Sequence, residues 1–186
     1  YIGGNDPSSA DGQALGTASL EWSDLYLADG SVIYFGNDQE IKVTHVADTG
    51  LTLKHTATAD DKPITLTLQT GETDMAANDV IGKIAFQAPD EGTGTDAILV
   101  AAAIQARSEG DFAADANATS LDFMLGASEA AATLMTLNSS GNLSVGDGTA
   151  ALPSYSNTGD LNTGVYFPAA DTVGVVAGGV EQFRFG

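Results

Sequence analysis

The sequence predicts an all-β fold, and three observations carry that prediction. Apolar and polar residues alternate in short runs along the whole chain, as in Leu25-Tyr-Leu-Ala-Asp-Gly-Ser-Val-Ile-Tyr-Phe35 and Ile64-Thr-Leu-Thr-Leu68. Alternation at period two gives one buried and one solvated side-chain row, the pattern of half-buried strands. Each run is cut by Gly, Asp, Asn or Ser, the residues that tight turns need. Finally, the 43% hydrophobic content is rich in Ala, with one Trp, five Tyr and seven Phe, so each strand supplies a thin apolar layer rather than a deep core.

The elements divide into three regions. Residues 1–49 begin with a polar, Gly-rich lead-in (1–16) and continue as a short β-meander. Its apolar positions are Trp22, Leu25, Leu27, Val32, Ile33 and Phe35, and its turns fall at Asp29-Gly30 and Gly36-Asn-Asp38. Trp22 and Tyr34 are expected to fill the thin core of this unit. Residues 50–148 hold seven strand candidates, at 51–56, 64–70, 80–88, 97–107, 120–125, 132–138 and 142–145, enough for a β-sandwich-like module of two layers. The run 97–107 is read as a strand because Ile98, Val100, Ala102 and Ile104 fall on one face, although its Ala content favours helix. The Ala-rich stretch 126–132 could add a short helical turn. Residues 149–186 are Gly- and Asn-rich and end in a hairpin closed by Gly178-Gly179, with aromatic residues on its second arm. A lone hairpin is too small to stand in water, so this region must pack on its neighbour or on copies of itself.

Charge and composition exclude several function classes. The chain carries 25 Asp plus Glu against 6 Lys plus Arg, a formal net charge of −19. Phosphate neutralisation requires clustered cations, so neither nucleic acid nor an anionic membrane surface is an expected partner. No cysteine is present, which removes disulfides and thiolate metal sites. The longest uncharged apolar run, Ala97 to Ile104, is far below the roughly 20 residues of a spanning helix. The first residue is Tyr1 and no basic-then-apolar leader follows, from which a longer, trimmed polypeptide is expected.

Catalytic and metal-binding readings find little footing. His45 and His55 would need a third ligand to hold a metal. The Asp-rich loops Asp60-Asp61, 90–96 and Gly146-Asp-Gly148 offer the oxygen donors that Ca²⁺ prefers, but none follows the spaced carboxylate loop; calcium stays unassigned and no cofactor is expected. The pairs Glu109 with Asp111 and Asp171 with Glu181 could be imagined as glycosidase carboxylates, yet such pairs arise by chance in so acidic a chain. No nucleophile elbow, phosphate loop or His-Glu-x-x-His occurs. For recognition, aromatic rings that stack on sugars are the better candidates, and Tyr155, Tyr166 and Phe167, in a Gly- and Asn-rich region, are the residues assigned to receptor or sugar contact.

Two strings carry a family resemblance. Leu15-Gly-Thr-Ala-Ser-Leu-Glu-Trp-Ser-Asp-Leu-Tyr-Leu27, followed by Gly-Ser-Val-Ile-Tyr-Phe-Gly36, resembles the LG-x-W-x-DLYL-x-G-x-I-x-FG segments of bacteriophage tail fibres, especially those of marine phages. Asp160-Leu-Asn-Thr-Gly-Val-Tyr-Phe-Pro-Ala-Ala-Asp171, within the longer stretch 154–174, resembles a second fibre motif that often precedes a C-terminal chaperone domain. The stretch between them, Ile81-Gly-Lys-Ile-Ala-Phe-Gln-Ala-Pro-Asp90 with 97–106, is similar to the module commonly found there. The resemblance implies a virion appendage protein, a parallel homotrimer that contacts other virion proteins and a host-surface polysaccharide or protein, without catalysis. The chain departs from the pattern in stopping at Gly186 without the chaperone domain. A polysaccharide-degrading tailspike enzyme and a secreted bacterial adhesin or filament subunit are the alternatives.

Overall fold

A computed structural model describes residues 14–87, 92 and 94–186. Of the expectations above, most of the lead-in, the end of the 80–88 strand and much of the acidic loop at 90–96 lie outside these residues. The fold is all-β, with 48% of residues in strands and 2% in helical turns, arranged as three antiparallel sheets. The chain divides into two compact units, Tyr1–Thr67 and Leu68–Gly186.

The first unit is the expected meander, one strand larger than anticipated. Strands β1 (Val32–Phe35), β2 (Ile41–Val46) and β3 (Gly50–His55) pair in sequence order. Ile33, Val43 and Leu53 stand opposite one another and set the register. The Asp29-Gly30 turn forms as the sequence demands, with Ser31 N–H donating to Ala28 O at 3.1 Å and Gly30 at φ 73°. Strand β3 belongs to this sheet because a tight turn at Ala47-Asp48, closed by Thr49 N–H on Val46 O at 3.0 Å, folds it straight back onto β2. The expected core is not there. Trp22 and Tyr34 are 66% and 55% exposed, because a three-stranded sheet without a second layer has nowhere to bury them.

The second unit opens with a five-stranded sheet, β4 (Val80–Gln87), β5 (Val100–Ser108), β6 (Thr119–Leu125), β7 (Ala132–Leu137) and β8 (Leu143–Val145), again in sequence order. This corrects the sandwich. Of the seven candidates, 51–56 pairs with β2 and 64–70 forms no strand; the remaining five build one open sheet rather than two layers. The 97–107 run is a strand, entered through a short 3₁₀ turn at Asp96–Ile98. The helical turn allowed at 126–132 is absent, since Gly126 and Ala131 N–H groups donate to the carbonyls of Ala101 and Val100 and hold that stretch against β5.

Strands β9 (Tyr155–Asn157), β10 (Asp160–Ala169), β11 (Thr172–Ala177) and β12 (Val180–Phe185) form the last sheet, in the order β12-β11-β10-β9. The β11–β12 hairpin turns at Gly178-Gly179 as predicted, with φ of 59° and 76°, the left-handed pair that a two-residue connection requires. The loop between the two sheets is tied down by Ser154 Oγ donating to Gly146 O at 2.6 Å and Phe167 N–H donating to Asp147 O at 2.8 Å.

Buried apolar side chains are few. Among the described residues they are Ala103, Ala131, Pro153, Tyr166 and Val176, while a cluster of buried polar side chains comprises Gln105, Ser108, Ser120 and Asp122. A chain of this length normally hides most of its Leu, Ile and Phe. Here Leu, Ile and Phe remain open on every sheet.

Candidate functional site

The sugar-contact candidates all fall in the C-terminal sheet, and the register separates them onto its two faces. Tyr155, Val165, Val175 and Phe183 stand opposite one another across all four strands, so their side chains share one side. Phe167 lies two residues beyond Val165, on the same side, and its ring meets that of Tyr155 edge-on, with centroids 6.3 Å apart and planes at 80°. This diagonal aromatic pair is a favoured arrangement on a sheet. Tyr155 is 44% exposed and Phe183 65%, so the face is an open aromatic surface.

Tyr166 points to the other side and is buried, at 7% exposure. Its ring lies over Gly174, where any Cβ would collide with it, so a glycine opposite the aromatic is what makes the pairing fit. The phenol donates to Glu181, and Arg184 closes the cluster through Nε to Glu181 Oε1 at 3.0 Å and Nη2 to Oε2 at 2.8 Å. The Arg184 guanidinium, with the Tyr166 hydroxyl, holds the Glu181 carboxyl below its ordinary range. The same carboxylate raises the Tyr166 phenol, because ionisation there would set two anions side by side. Thus the structure brings Tyr155 and Phe167 together and sets Tyr166 apart as a packing residue.

A second polar cluster occupies one face of the five-stranded sheet, and sequence reasoning missed it. Gln105, Asp122 and Thr136 are direct cross-strand partners, and Arg107 reaches across the same face. Asp122 is fully buried; it accepts from Arg107 Nε at 2.8 Å, Thr136 Oγ1 at 2.9 Å and Gln105 Nε2 at 3.2 Å. Arg107 lowers the Asp122 pKa and outweighs the burial that would raise it. Arg107 also donates to Asn78 Oδ1 at 3.0 Å. The signal was available: polar residues recur at every second position along 105–107 and 120–122 inside otherwise apolar strands. Every strong acceptor position is taken within the chain, so this cluster orders a sheet and does not present a reactive group.

The remaining candidates are scattered. His45 sits 3.6 Å from Asp29, and His55 caps Ala57 N–H at the opposite end of the β2–β3 pair. Glu109 is engaged by the backbone and hydroxyl of Ser139, which lower its pKa. Among the described residues no group of three metal-ligating side chains converges, and no helix is long and apolar enough to cross a membrane. Comparison with protein-family models, curated proteins and solved structures finds no match to this chain.

Proposed function

We propose that this chain is a noncatalytic structural and adhesive component of a phage virion, a tail fibre or similar appendage, acting as a homotrimer that touches other virion proteins and contributes to host-surface attachment. The observation that carries the reading is the inversion of burial. Among the described residues the buried apolar side chains are two alanines, a proline, a tyrosine and a valine, while some thirty large apolar side chains stand open, which supports completion of the fold by other chains. The resemblance of 15–36 and 154–174 to tail-fibre motifs supports an appendage as the site of that assembly. The Tyr155–Phe167 pair supplies an aromatic surface for a host polysaccharide, since ring faces stack on sugars.

The sugar-cleaving alternative has less support. Of its imagined carboxylates, Glu109 is held by Ser139 and Glu181 by Arg184 and Tyr166, leaving neither poised as acid or nucleophile. Immunogold electron microscopy of phage particles with antibody raised against this chain tests the proposal. Gold along a tail appendage is the expected result, and particles that carry no label refute it.

A further inference from the structure

The five-stranded sheet has two faces of opposite character. One holds the Gln105–Asp122–Thr136 row. The other is crossed by the rung Ile84, Ile104, Phe123, Met135 and Val145, one residue from each strand. The rungs on either side continue it, with Leu121 beside Leu137 and Phe86 near Leu125, and none of the three rungs contains a charged residue in a chain of net charge −19. Seven large side chains of this face, from Ile104 at 36% to Leu125 at 57%, are exposed, while Phe123, Met135 and Val145 in the central rung are half-buried. Leu68 lies against Gly82 and covers that corner of the face; among the described residues the stretch 57–74 around it forms no strand and makes no backbone-to-backbone hydrogen bond.

We propose that this apolar face is where copies of the chain meet, its occupant being the same face of neighbouring copies. The proposal rests on the homotrimeric reading above and adds to it which residues lie at the shared core. Charge selects the occupant: two chains this acidic can approach closely only through a patch free of carboxylates, and this face is one. A lipid surface would call for Lys or Arg around the patch, and the chain has six in all. Size agrees as well. These seven side chains leave about 600 Å² open per copy, the upper end of what an ordinary monomer leaves in one patch and the lower part of one partner's share of a standard interface. Three copies facing a common axis would close the set without leaving an open face, as cyclic assemblies do.

The test combines solution mass with a charge placed on the face. Wild type, the double variant Ile104→Glu with Phe123→Glu, and Ser140→Glu in the exposed β7–β8 turn are compared by sedimentation and far-UV circular dichroism. Support is an oligomer for wild type and Ser140→Glu, and a smaller species for the double variant. An oligomer unchanged in the double variant overturns this inference while leaving the homotrimer intact; a wild-type monomer overturns the homotrimer and the inference with it. Should the double variant lose its β signal, the cysteine-free sequence allows a second measurement, maleimide labelling of Leu125→Cys against Ser140→Cys in the assembled protein. Labelling at Leu125 slower by on the order of tenfold or more is expected for a covered site. Equal rates at the two positions contradict the inference.

Discussion

Asp122 is the residue on which the five-stranded sheet depends most. It is fully buried with three donors around it, so its removal strands Arg107 and opens a polar void. Breaking a buried pair by deleting one partner costs about 3 kcal/mol or more. Asp122→Ala should therefore lower urea stability by about that amount, measured by chemical denaturation. The sign of the pH dependence follows from the depressed pKa. Asp122 is ionised in the folded state down to a lower pH than in the unfolded chain, so its contribution is complete above the ordinary carboxylate range and fades as pH falls through the folded-state value. The stability gap between wild type and Asp122→Asn should accordingly be widest near neutrality and close in acid. A gap that widens below pH about 4 would contradict this account. At the aromatic surface the expected outcomes divide by face. Tyr155→Ala should weaken binding to host-surface polysaccharide, read on a glycan array, with the fold retained. Tyr166→Phe should leave that binding unchanged and reduce thermal stability, because its hydroxyl serves Glu181 inside the sheet.

At the scale of elements, the tightest constraint is Gly174 under the Tyr166 ring. A methyl group there meets ring atoms that cannot move without breaking the contact with Glu181. Gly174→Ala should cost about 1–3 kcal/mol, the range for overpacking, visible as a lower melting temperature. Most strands were legible in the sequence, because alternation at period two and the Asp-Gly and Gly-Gly turns act locally. Val100–Ser108 is the clearest case, since face periodicity outweighed the helix preference of its alanines. What alternation could not supply was pairing. Residues 51–56 and 64–70 carry equally good patterns, yet the first folds back on β2 through a tight turn, and the second finds no strand within the described chain. The sandwich failed for that reason. The site was half legible: Tyr155 and Phe167 share a face, but nothing local to Tyr166 announces that its ring belongs over a glycine eight residues on, or that its hydroxyl reaches past β11 to Glu181 on β12.

For the whole molecule, the balance of buried and open surface is the governing fact. Ordinary domains of this length hide enough apolar area to offset the conformational entropy of ordering the chain. Here Trp22, Tyr26, Leu66, Phe183 and Phe185 are each more than 60% exposed, and the buried centre of the largest sheet is an ion pair. The proposed association of like copies would offset that deficit, with the heavy negative charge outside the apolar faces opposing further clumping. Sedimentation equilibrium on the purified wild-type chain is the most direct check. The account predicts a single species of three times the 18.9 kDa chain mass, stable on dilution, with the β signal lost only when the trimer dissociates. A species of 18.9 kDa that keeps its full β content would contradict it.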